Sequence, residues 1–473
     1  MNSPVPELQE RAREAASALL EAETVQVVSH DDADGLTSAA IVATALEWGG
    51  LDVQTEIVHG LDEAAIEELA DGTPQTVLFT DLGSGALDVL ASQAAAGNLA
   101  PIVADHHEPV EGTIDHHLNP RTVGLDGGRE LSGAGTAYVL ARAIASQLPG
   151  LEQDPRELAA LAVVGAVGDR QTVDGELIGA NRAIAAEGEQ AGVLEIGADL
   201  ALYGVQTRPL PKLLEYGSAA RIPGITGSRA GAIEFLQSVP VDLRDGDRWR
   251  TWAELDDAQR QAVASGLMER AMERGVPTAT IDDLVGERYV LAREEPGTHL
   301  RDASEFATLL NATARYEEGS VGLAVCRGDR DEQFARAREL LEEHRQNLSA
   351  GIDWVQNEGV TRESNVQWFH AGSAIRATIV GIVAGMALGA DGIDADRPIV
   401  GFADKTEDEV KVSARAPDRG ARGLDLGQAL REAAAAVGGE GGGHAMAAGA
   451  TVPAGTEATV VAAVDEAVDE QRS

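Results

Sequence analysis

Three short apolar runs early in the chain each break directly onto a cluster of acidic and imidazole side chains. Thr24 to Ser29 runs into His30-Asp31-Asp32-Ala33-Asp34-Gly35, Thr76 to Thr80 into Asp81-Leu82-Gly83-Ser84-Gly85, and Pro101 to Ala104 into Asp105-His106-His107. Short apolar runs bounded by polar clusters are expected as buried strands, and Val53 to Val58 reads the same way. The stretches between them, Leu36 to Trp48, Glu63 to Ala70 and Leu87 to Ala96, carry helical periodicity. Strand and helix in alternation predict an α/β fold with a doubly wound parallel sheet, whose ligands bind beyond the carboxyl ends of the strands. All three polar clusters would then meet along one edge of the sheet.

Within the first cluster His30, Asp32 and Asp34 stand at i, i+2 and i+4. In an extended backbone this spacing points all three to one side and turns Asp31 and Ala33 to the other. Gly35 then permits a tight entry into the helix that carries Thr37 and Ser38. Carboxylates crowded this closely raise one another's pKa unless a cation neutralises them. Carboxylate with imidazole and no thiolate suits Mn²⁺ or Mg²⁺, with Zn²⁺ and Co²⁺ as alternatives. A fourth cluster adds a ligand: Leu158 to Val167 is an apolar helical stretch ending in Gly168-Asp169-Arg170, and an Asp at the end of a buried helix needs a partner. The donors suffice for two metal ions, an arrangement typical of phosphoester hydrolases.

At 473 residues the chain is long enough for two or three domains. From Gly133 to about Gly217 the pattern is mostly helical, and Arg221 to Pro240, rich in Gly, Ser and Pro, is expected to mark the exit from the first domain. A middle segment follows, with a helix expected from Asp256 to Arg274, a strand at Tyr289 to Arg293, a helix at Asp302 to Arg315 and a buried strand ending on Cys326. The last segment alternates again, with strands expected at Val366 to His370, Pro398 to Ala403 and Val410 to Ala414. Cys326 is the only cysteine, which excludes internal disulfides and cysteine-rich zinc sites. The longest apolar stretch, Ile375 to Ala390, is broken by Arg376 and too short to span a bilayer. A cytoplasmic protein with no membrane partner is expected.

A formal net charge of −41 would ordinarily argue against a nucleic-acid partner. The lysines, however, are only Lys212, Lys405 and Lys411, so nearly all the positive charge is Arg. Lys-poor, acidic and aromatic-poor composition fits a halophile's cytoplasm at molar salt, where the Debye length is about 3 Å. The net charge then reports the solvent more than the partner.

In order and spacing, HDDADG, TDLGSG, ADHH and GAVGD resemble the four motifs of the DHH phosphoesterase superfamily. The element His117-Leu118-Asn119-Pro120 resembles the HxNP that follows DHHxP in archaeal RecJ-like exonucleases. Near the C-terminus, Lys411-Val412-Ser413-Ala414-Arg415 and Gly438-Gly439-Glu440-Gly441-Gly442-Gly443-His444 resemble the DHH-associated substrate-binding domain. The resemblance implies an N-terminal helix over 1–22, a catalytic domain over 23–225, a connector or insert over 226–365 and a smaller α/β substrate-binding domain over 366–473. It further implies one metal on His30, Asp32 and Asp81 and another on Asp34, Asp81, His106 and Asp169, with Asp81 bridging. His107 would meet the substrate phosphate and Asp105 would support the site from its edge. Ser413, Arg415, Gly441, Gly442, Gly443 and His444 would bind a substrate phosphate, because consecutive glycines let backbone N–H groups approach an anion.

Several residues carry weaker expectations. Asp115-His116-His117 repeats the DHH letters in a loop-like stretch, and His116 is not expected to ligate a metal. His59 and His370 are expected to be structural. Ser132-Gly133-Ala134-Gly135-Thr136 opens a helix, where capping is favoured over phosphate binding. Arg415 to Arg422 reads equally as a backbone-binding stretch or a solvated turn. The function implied is a two-metal exonuclease on single-stranded DNA or RNA. The alternatives are a phosphodiesterase or phosphatase for short oligonucleotides, pAp or cyclic dinucleotides, and a non-catalytic replisome scaffold. The resemblance also admits the GINS replication complex as a partner, which no residue here specifies.

Overall fold

The computed structural model describes residues 3–72, 75–217, 220–417 and 423–472. The chain divides into two compact units, 1–338 and 339–473.

The first unit opens with helix α1 (Gln9–Glu21), followed by strand β1 (Thr24–His30), helix α2 (Ala33–Trp48), β2 (Asp52–Val58), α3 (Glu63–Asp71), β3 (Thr76–Thr80), α4 (Leu87–Ala96), β4 (Ala100–Ala104) and β5 (His116–Leu118). The five strands form one sheet in the order β2-β1-β3-β4-β5, and every pairing in it is parallel. The chain leaves β1 for β2 on one side and returns to β3 on the other, so the order reverses between β1 and β3. Such a switch point opens a crevice at the carboxyl ends of the strands. β3 and β4 bury all but their first residue and β1 buries Val25 and Val27 to Ser29, whereas β2 is an edge strand that is largely exposed or half-buried. Val53 to Val58 is therefore a strand but not a buried one, because no further strand covers its outer side.

Helix α2 is buried on nearly every face, from Ala33 to Ala43, between the sheet, α5 (Gly133–Ser146) and α6 (Ala159–Gly168). Small residues make this close packing possible. The run ending on Cys326 is a helix, Gly319–Cys326, and not the expected strand. An apolar run of this length does not distinguish the two by periodicity. Packing decides it: a Cβ on Gly319 would stand 2.7 Å from Ile57, and one on Gly322 would stand 2.8 Å from Leu36. Two glycines one helical turn apart thus let the segment lie against α2 and β2.

Beyond helix α7 (Gly179–Gln190), the strand Leu194–Leu200 pairs antiparallel with Val285–Leu291. Between these strands a separate hydrophobic core runs from Leu200 to Leu284. The Gly/Ser/Pro-rich stretch Arg221 to Pro240 contains the helix Arg229–Ser238, whose Phe235 and Leu236 lie in that core.

The second unit is built on a six-stranded mixed sheet, ordered Thr361–Arg362, Gln367–His370, Ile399–Asp404, Glu409–Arg415, Ala447–Pro453, Glu440–Gly443. Only Gln367–His370 and Ile399–Asp404 run parallel. Val410, Val412 and Ala414 pack on one face with residues of the helices Leu426–Ala435 and Glu457–Arg472. By the two-residue period of a strand, Lys411, Ser413 and Arg415 point to the other face, and helix Val380–Ala387 lies over the Ser413 and Arg415 end.

Candidate metal centre

His30 is the last residue of β1, but the extended geometry stops there. Asp31 and Asp32 form a bend and α2 begins at Ala33, so Asp34 sits in the first helical turn. The three side chains converge because a strand runs directly into a helix, and the i, i+2, i+4 reading is corrected accordingly. Asp32 is the N-cap of α2, its Oδ1 accepting the Gly35 N–H at 3.0 Å. Asp31 is not turned away: its Oδ1 lies 3.6 Å from His30 Nε2.

The other clusters arrive as the switch point dictates. Asp81 follows β3 in the left-handed region, at φ 57°, a conformation that costs a non-glycine residue about 1 to 3 kcal/mol and persists where the surroundings impose it. Its Oδ2 lies 3.7 Å from His30 Nδ1 and its Oδ1 3.1 Å from His106 Nε2. His106 Nε2 is also 3.7 Å from Asp34 Oδ2 and 3.8 Å from Asp169 Oδ2. The His106 Nδ1–H donates to the Gly127 carbonyl at 2.6 Å, which leaves Nε2 with its lone pair toward the carboxylates. Asp169 caps the C-terminus of α6, and Gln171 donates to its Oδ2 at 2.8 Å.

Asp34 is held by the start of α5. Its Oδ2 accepts the Gly133 N–H at 2.7 Å and its Oδ1 the Ala134 N–H at 2.9 Å, while the Ser132 hydroxyl accepts from Gly135 N. The SGAGT segment is therefore a cap whose first amides already serve a carboxylate, in line with the expectation that favoured capping. Two glycines leave room for the acids. A Cβ on Gly133 would stand 2.4 Å from Asp81 Oδ1, and one on Gly165 would stand 2.4 Å from Asp34 Oδ1.

Charge in this cluster is unbalanced. Burial, then the neighbouring Asp34 and Asp32, push the Asp81 carboxyl well above its usual range. Burial, with Asp169 and Asp32, lifts Asp34 to about 6, and burial raises Asp169. Burial opposes a charge on His30, yet Asp32, Asp81 and Asp31 raise the ring to about 9. His30 Nδ1 and Asp81 Oδ1 are buried without a hydrogen-bond partner. Orphaned atoms and crowded acids are what divalent cations satisfy, and the donor set fits them. His30, Asp32 and Asp81 bring one ligand atom each within 4.8 Å of one another, and Asp34, His106 and Asp169 do the same.

Asp105 and His107 stand beside this cluster. Asp105 is fully buried, with Oδ2 accepting from Ser84 N at 2.9 Å and Oδ1 from the His106 N–H and the His107 Nδ1–H at 2.7 and 2.8 Å. Burial works against its ionisation, but the bond from His107 overrides it and holds the carboxyl far below its usual range. The same bond raises the pKa of His107, whose ring is more than half exposed. His117 and Asn119 of the HLNP element support this turn through Ser84, and Asn119 also donates to the His107 carbonyl at 2.8 Å. His116 lies on strand β5 rather than in a loop, and it joins none of the metal-capable groups among the described residues.

Helix Ala303–Arg315 contributes residues that sequence reasoning did not single out. Asn311 Oδ1 accepts the Ala33 N–H at 3.0 Å, fixing the turn between Asp32 and Asp34. Burial opposes ionisation of Asp32, while His30, the Gly35 N–H and the Arg315 charge hold it in the ionised form. Gln171 could have been suspected from its place two residues after Asp169. Nothing in an amphipathic helix distinguishes Asn311.

In the second unit, Gly441, Gly442 and Gly443, the run expected to bind phosphate, lie in the edge strand Glu440–Gly443. Packing explains part of the glycine content, since a Cβ on Gly441 would stand 2.9 Å from the Leu430 carbonyl, whereas Gly442 faces open space. His444 is exposed and exchanges backbone hydrogen bonds with Ala447. Ser413 is buried, and Arg415 Nη1 donates to the Ala414 and Ala448 carbonyls at 2.8 and 3.2 Å. Arg415 passes over Gly381 of the overlying helix. The remainder of the Arg415 to Arg422 stretch, residues 418–422, lies outside the described residues.

Comparison with known proteins matches the DHH family N-terminal domain to residues 24–166, the DHH-CID domain to 202–285 and the DHHA1 domain to 365–470. An uncharacterized protein of Methanocaldococcus jannaschii is 28% identical over 456 residues, 94% of each chain. The single-stranded-DNA-specific exonuclease RecJ of Thermus thermophilus is 32% identical over 194 residues, which is 39% of this chain and 28% of that relative's length. Among solved structures, Thermus thermophilus RecJ in complex with Mn²⁺ superposes with a TM-score of 0.61 at 20% identity, over 98% of this chain and 55% of that one. Cdc45 of Entamoeba histolytica gives 0.64 at 11% identity, over 98% of both chains. With DHH, DHH-CID and DHHA1 domains in that order on a RecJ-like fold, the chain belongs to the DHH superfamily.

Proposed function

We propose that this protein is a metal-dependent phosphodiesterase, an exonuclease acting on single-stranded DNA or RNA, with Mn²⁺ as the first choice of ion. The observation that carries the reading is the convergence of Asp32, Asp34, Asp81, Asp169, His30 and His106 on one crevice, with Asp81 Oδ1 and His30 Nδ1 left without hydrogen-bond partners. His30, Asp32 and Asp81 would hold one ion, and Asp34, Asp81, His106 and Asp169 the other. Ions bound there would supply positive charge for phosphoryl oxygens and activate water at neutral pH.

The chain's own groups do the positioning. Gly127 fixes the tautomer of His106 and keeps Nε2 directed at the carboxylates. Asp105 takes the Nδ1–H of His107, so its Nε2 faces outward as a donor for a phosphate oxygen when the ring is charged. Asn311 and the α5 amides hold Asp32 and Asp34 in register before substrate arrives. This preorganisation lets charge develop on phosphate without rearrangement of the site. In the DHHA1 domain, Ser413, Arg415, Gly441, Gly442, Gly443 and His444 would bind a substrate phosphate.

The reading is tested with purified protein and Mn²⁺ in high KCl, given 5′- and 3′-labelled single strands of DNA and RNA beside dinucleotides. Stepwise shortening of the long strands, lost in Asp81→Ala, is the expected result. Cleavage of dinucleotides alone would favour the small-substrate enzyme. No cleavage of any substrate by a metal-loaded wild type would favour the scaffold.

A further inference from the structure

Asp31 and His59 lie outside the ligand set assigned above, on the solvent side of His30. The two nitrogens of His30 face different partners. Nδ1 points inward, 3.0 Å from Asp32 Oδ2 and 3.7 Å from Asp81 Oδ2, while Nε2 points outward, 3.6 Å from Asp31 Oδ1. Asp31 is mostly buried and is held in turn by His59, whose Nδ1 lies 3.2 and 3.3 Å from its two carboxylate oxygens. The His30 and His59 rings stack, with centroids 6.3 Å apart and planes 29° from parallel. His59 itself is 74% exposed, at the end of β2.

We propose that Asp31 and His59 form an outer brace that orients His30 toward a metal ion: Asp31, 3.6 Å from the outward Nε2, closes to accept its N–H once the ring is on the ion, and His59 fixes the Asp31 carboxylate. Asp31 is on this account a positioning residue. The inference rests on the metal-centre reading and extends it. A metal-bound imidazole has one nitrogen on the ion and donates its other N–H, and a carboxylate on that N–H fixes the ring and raises its basicity as a ligand. His30, Asp31 and His59 could also be read as a third cation site, since one atom of each lies within 4.8 Å of the others. Chemistry favours the brace: with Nδ1 committed inward, neutral His30 keeps its proton on Nε2 and has no lone pair there for a second ion.

The test is titration of the full chain with Mn²⁺, following the electron-spin-resonance signal of free Mn²⁺, for wild type, Asp31→Ala, Asp31→Asn and His59→Phe, with folding checked by circular dichroism. All four should bind the same number of ions. Asp31→Ala should bind one of them about 10- to 100-fold more weakly, Asp31→Asn less so because its amide oxygen still accepts, and His59→Phe should shift the same way while preserving the ring stack. Turnover of Asp31→Ala should return as Mn²⁺ is raised, which a merely folding defect would not allow. An Asp31→Ala curve that superposes on wild type would overturn the brace. Loss of one whole ion in Asp31→Ala would overturn it in favour of a third cation site. A wild type that binds Mn²⁺ yet cleaves nothing would sink the enzyme reading and leave the brace to its own titration.

Discussion

Gly133 packs directly against the Asp81 carboxylate, and Gly133→Ala measures how closely function depends on that packing. The new Cβ would meet Asp81 Oδ1 at 2.4 Å and Asp81 Cβ and Cγ at 2.8 Å. Ordinary contacts begin near 3.4 Å, so the carboxylate must retreat by about 1 Å. Misplacement of a catalytic group by that amount costs on the order of 100-fold in rate, or about 2.7 kcal/mol in the barrier. Stability should change less: overpacking costs about 1 to 3 kcal/mol, offset by up to about 1 kcal/mol from replacing glycine in a helix. The assay is kcat/KM on a labelled single strand at saturating Mn²⁺, beside Mn²⁺ affinity and thermal unfolding. Gly135→Ala is the control, because its Cβ would press on Leu131 at 2.5 Å and miss Asp81. It should lose stability but keep its metal affinity. Turnover and Mn²⁺ affinity of Gly133→Ala within about twofold of wild type would refute the placement of Asp81 between the two ligand sets.

Other consequences follow from particular residues. His106→Ala should remove the ion held with Asp34 and Asp169 and abolish activity while His116→Ala leaves both nearly intact, since of the two only His106 stands among the carboxylates; equal losses in a paired Mn²⁺ titration would contradict this. Glu305 is fully buried, accepting from Gln206 N and the Thr207 hydroxyl, and burial lifts its pKa from 4.5 to about 7. The folded state therefore binds the proton more tightly than the unfolded chain, and this contribution, complete below pH 4.5, is lost as the pH rises through 7. Glu305→Gln should then match wild type at pH 4 and exceed it by about 3 kcal/mol at pH 8; denaturant unfolding that shows no pH dependence of the difference would discard the argument. Arg415→Ala and His444→Ala should leave metal content unchanged and lower kcat/KM on long strands about 10- to 100-fold, the worth of a charge-assisted hydrogen bond; unchanged kinetics would leave the glycine strand with packing alone. With a net charge of −41, folding and activity should require high KCl, and full activity in dilute buffer with inhibition at molar KCl would refute the salt-adaptation argument.

The strands that carry the site were legible because each ends where an apolar run meets acids, and β3 and β4 fall on the expected residues. Burial on both faces writes itself into sequence as continuous apolar residues. The α/β class followed from the same alternation, and four ordered motifs pointed to the DHH superfamily. Where burial was partial the reading erred, as at β2, an exposed edge. Where a run was short and apolar, strand and helix could not be separated, as at Cys326.

The one-dimensional spacing of His30, Asp32 and Asp34 suggested convergence but not its cause. Only the fold shows that a strand passes into a helix between them, which is why Asp31, expected to face away, lies beside His30. Residues distant in sequence were invisible for the same reason. Asn311 reaches the Ala33 amide across 278 residues, Gly133 and Ala134 reach Asp34 across about a hundred residues, and Gly127 sets the tautomer of His106 through its backbone carbonyl. A side chain's chemistry is written at its own position, whereas its hydrogen-bond partner and the space around it are set by whatever the fold brings against it. Sequence thus determined which residue types carry charge and metal affinity and which strands present them. Tertiary structure decided their mutual geometry, because distance and burial are properties of packed elements and not of any one segment.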